Sequence, residues 1–170
     1  MSDDPENGSD TSGASKAARI FLVVVDESEE LTVALRYACY RARACNGRVA
    51  ILYVMEPQEF LHWMAVENLM REEQRIEAEQ KVQRYAKEVY KITGVVAIIH
   101  LREGKRRDEL LELIAEDPSI SVLVLGAGTG PDGPGPLISY LVGRGLHHLR
   151  IPLTIVPGTL TDEQLKAITA

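Results

Sequence analysis

Five short apolar runs limit most strongly what this chain can fold into. They read RIFLVVV (Arg19–Val25), VAILYV (Val49–Val54), VVAIIHL (Val95–Leu101), ISVLVL (Ile120–Leu125) and LTIV (Leu153–Val156). Each is rich in β-branched residues and nearly free of charge, the signature of a strand covered on both faces. The segments between them have helical character. One runs from a Ser28 cap to about Cys45, with apolar residues at Leu31, Ala34, Leu35, Ala38 and Ala42, and Asn46-Gly47 stops it. Gln58 to about Thr93 reads as one long helix or two consecutive ones, and its charged middle, Arg71–Lys81, offers only Ile76 as a strong apolar anchor. Asp108–Glu116 and Leu137–Leu149 are two further helical stretches, and TDEQLKAI starts a last one from a Thr161 cap with Gln164 three residues later. Five buried strands alternating with helices imply an α/β architecture, an open five-stranded parallel sheet with helices on both faces, because right-handed crossovers place them there.

The 170 residues suit one domain. Residues 1–17 carry four acids and one lysine, half of the net charge of −6, and hold no large apolar side chain beyond Met1. This acidic tail is expected to be disordered. The folded domain is placed at 18–158 and a C-terminal extension at 159–170. With so little net charge left, the domain has no strong field to draw in nucleic acid or an anionic membrane. The apolar runs fall far short of the roughly 20 residues of a membrane span, and no export signal opens the chain. Cys39 and Cys45 are too few for a disulfide scaffold and suit a reducing compartment, so a cytoplasmic location is expected.

Open parallel sheets bind ligands beyond the carboxyl ends of their strands, where strand order reverses. Two strand ends suit that role. Asp26 follows the first strand, and Gly126-Ala-Gly-Thr-Gly-Pro-Asp-Gly-Pro-Gly-Pro136 follows the fourth. Glycines leave backbone N–H groups uncovered for phosphate, although a Gly/Pro loop also serves simply to turn the chain. The loop is neither a Walker sequence, since no GK[ST] follows, nor a GxGxxG fingerprint. Asp26 has its own local reading as a strand-ending or helix-capping carboxylate. No metal site is expected. His147 and His148, adjacent on a helix, should point about 100° apart, and His62 and His100 lie in separate elements without nearby acids or cysteines. Cys39 and Cys45 read as small core residues. Phe60, Leu61, Trp63 and Met64 form an apolar patch, read as core packing or as a lid or partner surface.

The VVVDES segment, a second strand carrying Tyr-Val, the stretch EGKRRDELLELIAEDPSISVLVLGAG and the ending IPLTIVP together resemble the universal stress protein family, over Arg19 to Pro157. The resemblance implies a Rossmann-like, adenine nucleotide alpha hydrolase-like fold that commonly dimerises through its last strand. Many members bind ATP through G-x2-G-x9-G-[ST] after the fourth strand, with the aspartate after strand one and the backbone after strand two holding the adenosine. On that pattern Asp26 and Val54 are ligand-facing. Two registers of the glycine motif are open. Element lengths place it on Gly126, Thr129, Ser139 and Tyr140. Spacing alone places it on Gly130, Gly133 and Gly143, with Arg144 in the Ser/Thr position. Gly128 lies within the first register. Tyr140 would project a ring where a triphosphate packs, and Pro131, Pro134 and Pro136 remove backbone donors. Arg144 offers a charge-assisted contact to phosphate.

The resemblance thus implies a regulatory or sensor protein whose cleft takes ATP or a related adenine nucleotide. The alternative is a protein-interaction module of the same fold without nucleotide. No adenylating signature and no Ser/His/Asp or Cys/His arrangement is present, so an enzyme is not expected beyond weak ATP hydrolysis. The last strand, Leu153, Thr154, Ile155 and Val156, is short, apolar and expected at a sheet edge, where a second copy would cover it.

Overall fold

A computed structural model describes residues 16–57 and 64–170. In chain order the elements are β1 (Ile20–Val25), α1 (Glu30–Ala44), β2 (Arg48–Met55), α2 (Met64–Thr93), β3 (Ile98–Glu103), α3 (Arg106–Glu116), β4 (Ile120–Ala127), α4 (Pro136–Val142), a 3-10 turn (Leu146–His148), β5 (Leu153–Pro157) and α5 (Asp162–Thr169). The five strands form one sheet in the order β3-β2-β1-β4-β5, and every pairing is parallel.

The central strand shows why the sequence folds this way. Along β1 the side chains alternate between two separate cores. Ile20, Leu22 and Val24 join Leu110, Leu113 and Ile114 of α3 and Leu137, Ile138 and Leu141 of α4. Phe21, Val23 and Val25 join Leu31, Leu35 and Ala38 of α1, Val89 of α2 and Leu165 of α5. A strand buried on both faces has no polar positions to spare, hence its unbroken apolar run. α5 begins at Thr161 with the reciprocal capping box to Gln164 that its sequence calls for.

Four expectations about element detail are corrected. The third strand begins at Ile98 rather than Val95, because α2 ends on Gly94 at φ 74 and the ladder to β2 opens only with Ala50 beside Ile98. Val95 and Val96 are therefore exposed. In α2 the anchor within the charged middle is Ala78, which is buried, whereas Ile76 faces solvent. α1 begins at Glu30 with Glu29, not Ser28, at the cap position and no side-chain cap, and the Ser28 hydroxyl donates to Asp26. The Leu137–Leu149 run is not one helix: α4 ends at Gly143, whose ψ of −98 breaks the helical path, and a 3-10 turn follows.

No described helix is long and apolar enough to cross a membrane. Residues 1–15 of the acidic tail, His62 and the Phe60, Leu61 and Trp63 part of the apolar patch lie outside the described residues, and of Met64 only its place at the start of α2 is described.

Candidate functional site

Strand order reverses between β1 and β4. The chain leaves β1 through α1 on one face and leaves β4 through α4 on the other. That divergence opens a crevice beyond the carboxyl ends of these two strands. Asp26, Arg106, Leu125, Gly126 and the stretch Pro134–Ile138 line it.

Asp26 is held by its own turn. Its Oδ1 accepts hydrogen bonds from the Ser28 backbone N–H at 3.1 Å and the Ser28 hydroxyl at 2.7 Å. The intervening residue, Glu27, sits in the left-handed region at φ 60, a conformation that costs a non-glycine residue energy. Lys81 of α2 compensates by pairing with the Glu27 carboxylate. Its hydrogen bond holds the Glu27 carboxyl below the ordinary carboxylate range.

The glycine-rich loop closes on itself. Gly128 donates its N–H to the Pro134 carbonyl at 3.2 Å, and Gly133 donates to that of Gly130 at the same distance. Gly133 and Gly135 take φ of 82 and 112, which their lack of a side chain permits. Folded in this way, the loop narrows the crevice to a cavity of about 30 Å³, room for a water molecule and well below the several hundred Å³ of a typical ligand pocket.

The remaining candidate residues fall into three places. Val54 is buried within β2. Thr129 and Gly130 sit exposed at the loop tip, with Gly128 behind them. Ser139, Gly143 and Arg144 are exposed along α4 and its end, and none of these seven lines the crevice. Tyr140 is half-buried against the α3/α4 core and borders an adjoining groove. Its ring covers Gly145, where a Cβ would stand 2.5 Å from a ring carbon. The structure therefore brings Asp26 and Gly126 together and sets Tyr140 beside them.

Arg106 is the cleft residue that the sequence reading missed. The crossover from the edge strand β3 back over β2 and β1 carries the start of α3 above the crevice. The available signal was the Lys105-Arg106-Arg107 run placed directly after a strand, on the same sheet edge as Asp26. The Arg106 backbone N–H donates to Glu56 Oε1 at 3.3 Å, and its Nε is buried without a partner among the described residues.

Other titratable groups lie elsewhere. His147 and His148 do not diverge as on a helix; the 3-10 turn brings their rings to 3.9 Å between centroids. Among the described residues no three His, Cys, Asp or Glu side chains group as metal ligands. Burial pushes the Cys39 thiol up to about 12, which leaves it an unreactive core residue. Burial also lowers the His100 imidazole, favouring its neutral form.

With this geometry in place, the sequence from residue 18 to 157 matches the profile of the Universal stress protein family. The chain belongs to the universal stress protein family. The fold agrees with solved universal stress proteins at low identity. Universal stress protein UspA from Lactobacillus plantarum superposes with a TM-score of 0.65 at 20% identity, covering 81% of this chain and 97% of its own. The Archaeoglobus fulgidus universal stress protein in complex with dAMP gives 0.57 at 16%, covering 82% and 97%. A universal stress protein family member from Arabidopsis thaliana with AMP bound gives 0.58 at 14%, covering 85% and 94%. A search of curated proteins returns no match. This universal stress protein therefore has the Rossmann-like sheet of its family, with its strand-order reversal between Asp26 and Gly126.

Proposed function

We propose that this universal stress protein is a regulatory or sensor protein that takes ATP or a related adenine nucleotide in the crevice between β1 and β4. The observation that carries the reading is the Asp26 carboxylate, fixed by Ser28 and lining the same cleft as Gly126 and the start of α4. Solved universal stress proteins of the same fold hold AMP, dAMP and cAMP. On this reading Asp26 accepts from the sugar, and the backbone beyond Val54 faces the base. Gly126, Gly128, Thr129, Gly130, Ser139, Tyr140, Gly143 and Arg144 are the loop and α4 positions offered to the rest of the ligand. Entry requires the Gly128–Gly135 loop to swing outward, breaking its two internal hydrogen bonds. No catalytic residue is assigned, and the reading places the protein in the reducing cytoplasm, in keeping with its free Cys39 and Cys45.

Titration calorimetry with ATP, AMP and adenosine on the purified protein tests this. Saturable binding to the wild type, weakened roughly tenfold or more in Asp26→Ala, supports the reading. No binding of any of the three overturns it.

The closed loop favours a second reading, an interaction module of the same fold that works without nucleotide. The same titration separates the two. Under either reading the protein pairs with a second copy through β5, whose outer edge the sheet leaves open.

A further inference from the structure

We propose that the groove between the start of α3 and α4 is an oligophosphate-binding subsite, which takes the phosphate chain in place of the glycine-rich loop. It rests on the adenine-nucleotide reading only for where the remainder of such a ligand lies.

The groove has a volume of about 320 Å³, within the range of small-ligand pockets. It continues from the Asp26 crevice, since Arg106, Pro136 and Leu137 line both. Lys105, Arg106 and Arg107 face it, with Glu56 as the one acid on its walls among the described residues. Glu56 is partly occupied by the Arg106 backbone N–H. The neighbouring Arg102, by contrast, is neutralised by Glu109 and Glu116. Positive charge is thus left over at the groove and not along β3.

Two of the three cations are arranged as anion donors. The Arg106 Nε is buried without an acceptor among the described residues, a desolvation cost that an anionic oxygen relieves once the guanidinium turns toward it. Arg107 lies over Tyr140, its guanidinium carbon 4.2 Å from the ring centroid. This cation–π contact holds the Arg107 guanidinium at the groove, and a guanidinium so held can meet phosphate through its N–H groups. Its one ion pair among the described residues, to Asp108 at 3.7 Å, is exposed and weak. Tyr140 is therefore the floor of the subsite rather than an obstruction to it.

The loop, meanwhile, is poorly equipped for phosphate. Pro131, Pro134 and Pro136 have no N–H, and those of Gly128 and Gly133 are spent on internal carbonyls. An oligophosphate lying along the groove meets three cations without any loop movement beyond the Asp26 crevice.

The test is calorimetry at fixed ionic strength with adenosine, ATP and inorganic tripolyphosphate. It uses the wild type, an R106Q/R107Q variant, and an R84Q/K87Q control with the same charge change on the exposed face of α2. The expected result is a loss of roughly tenfold or more in ATP affinity for R106Q/R107Q, with adenosine affinity falling much less, since Arg106 also lines the Asp26 crevice, and the control like wild type. ATP binding equal in wild type and R106Q/R107Q overturns the subsite while leaving the adenine-nucleotide reading standing. Tripolyphosphate bound by the wild type and lost in R106Q/R107Q, with adenosine and ATP silent, supports the subsite and overturns the nucleotide reading. Silence of all three probes overturns both. Should R106Q/R107Q melt early, K105Q carries the same comparison from an exposed position, and unchanged ATP and tripolyphosphate affinity there counts against the subsite.

Discussion

A Cβ placed on Gly126 would stand 2.4 Å from the carbonyl oxygen of Glu30. The end of β4 and the first turn of α1 thus touch backbone to backbone beside the crevice. Gly126 is required by that packing before any ligand is considered, and this separates it from Gly130, where a Cβ would meet nothing within 4 Å.

Replacing Gly126 by Ala is therefore expected to destabilise the fold by about 1–3 kcal/mol, since neither backbone has room to retreat. Gly130→Ala meets nothing within 4 Å and needs no positive φ, so its cost should stay within about 0.5 kcal/mol. Urea midpoints of the two variants test the contrast. Equal stability of both would show that β4 and α1 are not in close contact.

Arg150 should prove a structural residue despite lying on the surface. Its guanidinium donates to the carbonyls of Ile114 at 2.8 Å, Ile120 at 3.4 Å and Asp117, closing the end of α3 onto the start of β4. Arg150→Ala is expected to cost about 1–3 kcal/mol. Arg150→Lys should recover only part of it, because an ammonium cannot reach three divergent carbonyls as a planar fork does. Full rescue by lysine in thermal melts would refute this account.

Stability should fall on acidification, and the sign follows from three carboxyls. Hydrogen bonds from Lys81, the Ser119 hydroxyl and Lys166 hold Glu27, Asp117 and Asp162, respectively, below their ordinary values. A depressed folded-state value means the contribution is fully present above the unfolded value, near 4, and is lost as pH falls through the folded one. Asp162 also accepts from the buried-edge Tyr40 hydroxyl, tying α5 to α1. Urea midpoints for wild type and Asp162→Asn from pH 6 to pH 2, spanning that window, should converge at the acid end. Parallel curves would show that Asp162 contributes nothing to the pH dependence.

Much of this fold was legible because its strands are buried on both faces. The doubled core around β1 leaves Phe21 through Val25 no position for a polar side chain, so the run announces itself. Legibility weakened where that constraint lapses. β3 is an edge strand, so Val95 and Val96 look like strand yet precede the ladder. The apolar run after Pro136 looked like one helix because periodicity is blind to the backbone break at Gly143. Asp26 was visible from its place after β1. Arg106 was not, since only the return crossover from β3, a fact of strand order, carries it over Asp26. The closed loop was invisible for a related reason: glycine content permits a phosphate cradle and a self-bonded turn equally.

The open edge of β5 leads to the last prediction. Ile155 pairs with Leu125 on its inner side, and its own side chain remains 40% exposed, while its neighbour Val156 is buried at 2%. An apolar residue on a short exposed edge invites pairing with another strand, and a two-fold axis would let β5 meet its own copy antiparallel. Ile155→Lys places a charge at that contact without touching the core that Val156 fills. The wild type is expected to show twice the chain mass by light scattering at micromolar concentration. The variant should show a single chain mass, with its concentration-independent melting close to that of the separated wild-type chain. A monomeric wild type would refute the pairing outright. A dimer that survives Ile155→Lys would move the interface to another face.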